Sequence, residues 1–141
     1  MTNEEYEEAK QCAHRILRAR DKTSFELNKR LQEKGHSAEA AEKVVARFVD
    51  VGLVDDERYR EIYVRSAQAS GKGWYRITRE LERKGLETKD LTEPSPEEEL
   101  DRACKVIDRL TISNYKERER ALRRLISRGF SFDTAKRAID S

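Results

Sequence analysis

The chain has 141 residues, 36% hydrophobic and 41% charged, with a net charge of +2. That apolar content is lean for a single rounded globule, yet Gly and Pro are few and the apolar residues are periodic, which argues against disorder. The basic bias falls short of a dedicated nucleic-acid coat, and no apolar run is long enough to cross a bilayer.

The opening residues Met1 to Glu8 are acidic and lack the basic and apolar regions of a secretory signal, so a cytoplasmic location is expected. The first predicted helix runs from about Glu4 to Arg18 and puts Ala9, Cys12, Ala13, Ile16 and Leu17 on one face. The second begins at Thr23, where Thr23 and Glu26 have capping-box spacing, and stops at Gly35. A third follows Ser37, carries Ala41, Val44, Val45 and Phe48, and ends at Gly52. Asp55 caps a fourth with Tyr59, Ile62, Tyr63 and Ala67. The tight connection Ser70-Gly71-Lys72-Gly73-Trp74 leads to a fifth, built on Ile77 and Leu81. After Gly85 a short sixth helix is expected around Leu91, cut off by Pro94 and Pro96. The seventh has the most complete start signal, with Ser95 as cap, Pro96 at the first helical position and Glu98 closing the box. It carries Leu100, Ala103, Cys104, Ile107 and Leu110. The eighth runs from Asn114 to Gly129 through Leu122, Leu125 and Ile126, and the ninth from Ser131 to about Ile139. No segment alternates with the two-residue period of a strand.

These nine helices repeat. Leu27 to Gly35, Ile77 to Gly85 and Ala121 to Gly129 are variants of one phrase, with glycines 50 (85 − 35) and 44 (129 − 85) residues apart. Counting back 22 residues from each glycine reaches Ala13, Tyr63 and Ile107; 23 reaches Cys12, Ile62 and Val106; 26 reaches Ala9, Tyr59 and Ala103. The expected fold is therefore all-α, an elongated, curved array of three tandem three-helix repeats at 1–53, 54–93 and 94–141. Such arrays present extended binding surfaces rather than enclosed active sites.

No reacting constellation is visible. His14 and His36 lack partners in the sequence, Cys12-Ala13-His14 supplies too few ligands for a structural metal, and no nucleophile elbow is present, so neither metal, cofactor nor catalysis is expected. Cys12 and Cys104 fall at core positions of different repeats and read as buried free thiols. Gly71-Lys72-Gly73 lacks the length, the closing Lys-Ser/Thr and the preceding strand of a phosphate loop, so the glycines serve a turn and leave Lys72 and Trp74 to meet a partner. Basic residues gather at Lys72, Arg76, Arg79, Arg83 and Lys84, and again at Lys116, Arg118, Arg120, Arg123, Arg124 and Arg128. One reading is a solvated face neutralised by Glu80, Glu82, Glu117 and Glu119; the other is a contact surface for an acidic protein groove or a phosphate backbone.

Several segments carry a resemblance to a known family. They are Ser24-Phe25-Glu26-Leu27 leading to Leu31-Gln32-Glu33-Lys34-Gly35, the run from Val51 to Tyr59, Gly71-Lys72-Gly73 ahead of Ile77, Leu81, Lys84 and Gly85, and Arg128-Gly129-Phe130-Ser131. Their order and spacing resemble the RecX family of bacterial recombination regulators across nearly the whole chain. The resemblance implies a non-catalytic, cytoplasmic protein that binds the RecA recombinase and modulates its filaments on DNA, mainly by inhibition, lying in the filament groove. The short third helix of the middle repeat departs from a regular unit. A monomer is expected, and the residues expected at the contact are Lys72, Trp74, Arg76, Arg79, Arg83, Arg123, Arg124 and Arg128. The alternative is a direct DNA-binding protein whose repeats act like helix-turn-helix modules.

Overall fold

The computed structural model describes residues 1–141. It contains eight helices and no strands: α1 (Asn3–Ala19), α2 (Ser24–Glu33), α3 (Ala38–Asp50), α4 (Asp56–Ala69), α5 (Trp74–Arg83), α6 (Pro96–Ile107), α7 (Tyr115–Ser127) and α8 (Phe132–Asp140). The fold is an all-helical repeat array, as the periodicity implied.

Eight helices replace the expected nine because the short helix around Leu91 does not form. Residues 88–91 make one turn, closed by the Leu91 amide on the Thr88 carbonyl at 3.2 Å. The few residues between Gly85 and Pro94 leave too little chain to offset helix nucleation, and Leu86 is already buried ahead of the turn.

Most helix starts are local. Thr2, Thr23 and Ser95 each form a full capping box, with Glu5, Glu26 and Glu98 respectively. Ser37, Asn114 and Ser131 cap α3, α7 and α8 with their side-chain oxygens. The three phrase glycines, Gly35, Gly85 and Gly129, all have positive φ, and the chain closes over the end of α2 and of α7 with the same pair of bonds: His36 amide to Leu31 carbonyl and Phe130 amide to Leu125 carbonyl, both 3.1 Å.

The chain forms two compact units, and the division passes through α4 and α5. The first unit comprises Met1–Glu61 with Arg83–Leu86. Its core packs α1, α2 and α3 through Ala9, Ala13, Leu27, Leu31, Val44 and Phe48. Alanines at 9 and 13 let α1 approach closely, and Leu27 and Leu31 are fully enclosed. The second unit comprises Ile62–Glu82 with Glu87–Ser141. Its core packs α6, α7 and α8 through Ala103, Ile107, Ala121, Leu125, Phe130 and Ala135. Leu31 and Leu125 hold the same place in their repeats, and both are 0% exposed.

Several expected core positions differ, among them Ile126 on α7, which is 44% exposed. Ile62 aligns with buried Cys12 yet is 50% exposed, and Leu110, beyond the end of α6, is also exposed. Cys104 is only half-buried, whereas Cys12 is buried; both are free thiols.

Candidate interaction surface

The connection into α5 is the most constrained segment of the second unit. No Ser, Thr, Asp or Asn precedes Trp74, so the first amides of α5 have no cap of their own. They are satisfied by later residues instead. Gly73 N–H donates to the Arg128 carbonyl at 2.8 Å, Trp74 N–H to Glu99 Oε1 at 2.8 Å, and Tyr75 N–H to the Gly129 carbonyl at 3.2 Å. The backbones meet so closely that a Cβ on Gly73 would lie 2.4 Å from the Gly129 carbonyl carbon, and one on Gly129 would lie 2.4 Å from Arg76 Cβ. Burial raises the pKa of Glu99 above the usual glutamate range, with the Trp74 amide and the Arg102 charge opposing the shift. Its Oε2 is buried without a hydrogen bond.

This connection also fixes Lys72. Its ammonium donates to Glu80 Oε2 at 2.8 Å, lies 3.4 Å from Tyr63 Oη and sits 5.5 Å from the centre of that ring. Arg76 Nε donates to the other oxygen, Glu80 Oε1, also at 2.8 Å. One carboxylate thus holds two of the basic residues expected at a contact. Lys72, which the sequence left to a partner, is turned onto Glu80 in this structure. It also precedes α5 rather than joining its basic stripe. Trp74 is half-buried.

The first unit contains a similar trio. Lys84 donates to Tyr59 Oη at 2.9 Å and to Glu26 Oε2 at 3.4 Å. Burial opposes its charge, but the Tyr59 and Glu26 contacts outweigh that and raise its pKa. Thr23, fully buried, donates its hydroxyl to the Lys84 carbonyl at 2.7 Å while accepting from the Glu26 amide. Lys72 and Lys84 are thus each held by a glutamate and a tyrosine, Glu80 with Tyr63 and Glu26 with Tyr59.

The remaining arginines divide by their surroundings. Arg79 and Arg83 are exposed on α5; Arg79 lies 5.5 Å from the centre of the Tyr75 ring, and neither makes an ion pair. Arg123 and Arg124 are exposed on α7 and also lack ion pairs. Arg128 is half-buried and donates from Nη1 to the Ser70 carbonyl at 3.1 Å, holding the end of α7 against the turn that ends α4.

Residues 9–48 match the family description "RecX, first three-helix domain", and residues 55–93 match "RecX, second three-helix domain". A regulatory protein RecX from Trichlorobacter lovleyi is 33% identical over 104 residues, which cover 70% of this chain and 68% of that protein. The chain belongs to the RecX family. A regulatory protein RecX from Mycobacterium sp. (strain KMS) is 38% identical over 110 residues, 74% of this chain. The matched stretch spans 60% of that mycobacterial relative's length. The fold agrees with the crystal structure of RecX from Lactobacillus salivarius, at a TM-score of 0.78 and 19% identity over 99% of this chain and 97% of that one. A second RecX crystal structure aligns at a TM-score of 0.77 and 23% identity, covering 97% of this chain and 72% of that one. The second matched RecX domain ends at residue 93 and so takes in the helix-less turn at 88–91.

Sequence patterning missed Glu80 and Glu99 as organising residues. Glu80 was visible only as one of several neutralising carboxylates, and the bond from Glu99 to Trp74 joins residues whose local sequence carries no mark of it. No helix is long and apolar enough to cross a membrane.

Proposed function

We propose that this chain is a non-catalytic, cytoplasmic regulator that binds the RecA recombinase as a monomer and tunes its filaments on DNA, mainly by inhibition. Membership of a family of regulatory proteins carries the reading. The unpaired, exposed arginines support it: Arg79 and Arg83 on α5, and Arg123 and Arg124 on α7, keep their charge available to an acidic partner. Repeats at 1–53, 54–93 and 94–141 would each add a modest contact, and several tethered contacts on a polymer combine into avidity.

The test compares binding to bare DNA and to recombinase-coated DNA at equal ionic strength. Preference for the coated form is expected; equal affinity for both would reject the reading. Within it, the double charge reversal Arg79→Glu and Arg83→Glu should weaken filament inhibition while circular dichroism reports unchanged helix content. Arg76 is left intact, because its loss would also disturb Glu80 and Lys72.

A further inference from the structure

The repeated phrase ends on Gly35, Gly85 and Gly129, and two of these turns are covered by the start of an earlier helix. At Gly85 the cover is the first turn of α2. A Cβ there would lie 2.4 Å from Phe25 Cβ, and Thr23 donates its hydroxyl to the carbonyl of Lys84, one residue before the glycine. At Gly129 the cover is the first turn of α5. A Cβ there would lie 2.4 Å from Arg76 Cβ, and the Gly73 amide donates to the carbonyl of Arg128, again one residue before the glycine. Thr23 and Gly73 hold the same place, 12 residues before their own phrase glycines (35 − 23 and 85 − 73). One contact is therefore made twice: the start of a phrase helix seats on the glycine turn that ends the next phrase helix.

The turn at Gly35 has the same form and no cover. Its φ is +98°, beside +79° at Gly85 and +102° at Gly129. A Cβ at Gly35 would meet nothing within 4 Å, and the Lys34 carbonyl, equivalent to those of Lys84 and Arg128, accepts no hydrogen bond from the chain. Lys34 is exposed and makes no ion pair, whereas Lys84 is paired at 3.4 Å with Glu26 of its covering helix. A second copy of this chain has no matching helix start to offer. Those of α2 and α5 are already seated, and α7 begins too early. Asn114 caps it, so Glu117, 12 residues before Gly129, lies inside the helix with its amide bonded to Asn114 and its carboxylate to Ser113.

We propose that the Gly35 turn docks the start of an α-helix from another protein, one that opens as α2 does: a Ser or Thr as N-cap, an aromatic residue at the second helical position and a carboxylate at the third. The cap hydroxyl donates to the Lys34 carbonyl, as Thr23 does to Lys84. The aromatic side chain lies over Gly35, as Phe25 lies over Gly85. The carboxylate pairs with the Lys34 ammonium, which no group of this chain neutralises, as Glu26 pairs with Lys84. After the glycine, half-buried His36 stands where Leu86 and Phe130 are buried. A polar residue at that place keeps an uncovered turn compatible with water, as the outer face of a terminal repeat must be, and makes the docked contact reversible. The site uses none of the arginines of α5 and α7, so it stands whether or not they meet a partner.

The experiment titrates the isotopically labelled full chain with an acetylated peptide copying residues 21–35. A side-chain lactam across its positions 28 and 32, which already hydrogen-bond to each other in α2, keeps the peptide helical without a nucleation cost. The amide resonances of Gly35 and His36 should shift and saturate at roughly millimolar peptide, as a contact of this small size allows. Lys34→Glu in the chain should weaken binding about fivefold, and Glu26→Lys in the peptide should restore it by exchanging the two charges. Lys34 is exposed, and thermal melts check that its variant folds. No saturable shift at residues 34–36, equal binding of a scrambled peptide with the same lactam, or undiminished binding by Lys34→Glu would overturn the proposal. So would concentration-dependent sedimentation of the wild type that Lys34→Glu abolishes, an outcome that would assign the turn to a second copy. The titration contains no recombinase, so its failure leaves the function proposed above intact.

Discussion

Helices α2 and α5 carry the same repeated phrase but begin in opposite ways. The start of α2 is written in its own sequence: Thr23 and Glu26 satisfy each other's amides three residues apart. The start of α5 has no such residues, and its amides are met by Glu99, Arg128 and Gly129. Two copies of one motif thus obey the same rule, that buried helix-end amides must be paired, through local chemistry in one case and distant chemistry in the other.

Substitutions can separate the two modes. The largest effect is expected at Gly73. Gly73→Ala forces a methyl into the backbone at Gly129 and should cost about 3 kcal/mol or more in urea unfolding, whereas Gly35→Ala, which meets nothing within 4 Å but has φ of +98°, should cost about 1–2 kcal/mol. Similar losses at both glycines would show that the α5 junction is no tighter than an ordinary helix end. Next is Thr23→Ala, which removes both the cap of α2 and the bond to the Lys84 carbonyl; about 2 kcal/mol is expected by the same measurement. Glu99→Ala should cost less, about 1 kcal/mol, because losing the bond to Trp74 also relieves a buried carboxylate oxygen that has no partner.

A smaller effect sharpens the contrast through pH. Burial raises the folded-state pKa of Glu99, so folding favours its protonated form, and the stability linked to this group falls as pH rises through that pKa. Wild type should therefore gain on Glu99→Gln as the pH is lowered from neutral through the folded pKa of Glu99, read as the difference between their unfolding curves. Glu98 runs the other way: bonds from Ser95 lower its pKa, so its contribution is present above its unfolded pKa and lost as pH falls through the folded one. Both proteins retain Glu98, so it cancels in the difference. Least of all, Arg79→Ala and Arg123→Ala should leave stability within about 0.5 kcal/mol, since neither makes an ion pair.

What could be read from the sequence follows the range of each interaction. Caps at Thr23, Ser37, Ser95, Asn114 and Ser131 were legible because donor and acceptor lie within three residues. The aligned Leu31, Leu81 and Leu125 were legible as core because a helical period fixes which face they share, and all three are fully buried. Periodicity could not say that Ile62 would stay exposed, since alignment gives a residue's face but not what covers it. The prolines announced a shortened element after Gly85 without showing that too little chain remained to nucleate one. At the candidate surface, exposed arginines were legible as charge. The inward turn of Lys72 was not, because it depends on Glu80 and Tyr63 meeting it in space.

The capping of α5 also bears on the order in which the molecule can be completed. As the chain leaves the ribosome, α1 to α3 have all their capping residues and their shared core in hand by residue 54. The amides of Gly73 and Tyr75 stay bound to water until residues 128 and 129 have been added. Nascent chains halted before that point should exchange those two amide protons freely while the amides inside α1 and α3 are already protected.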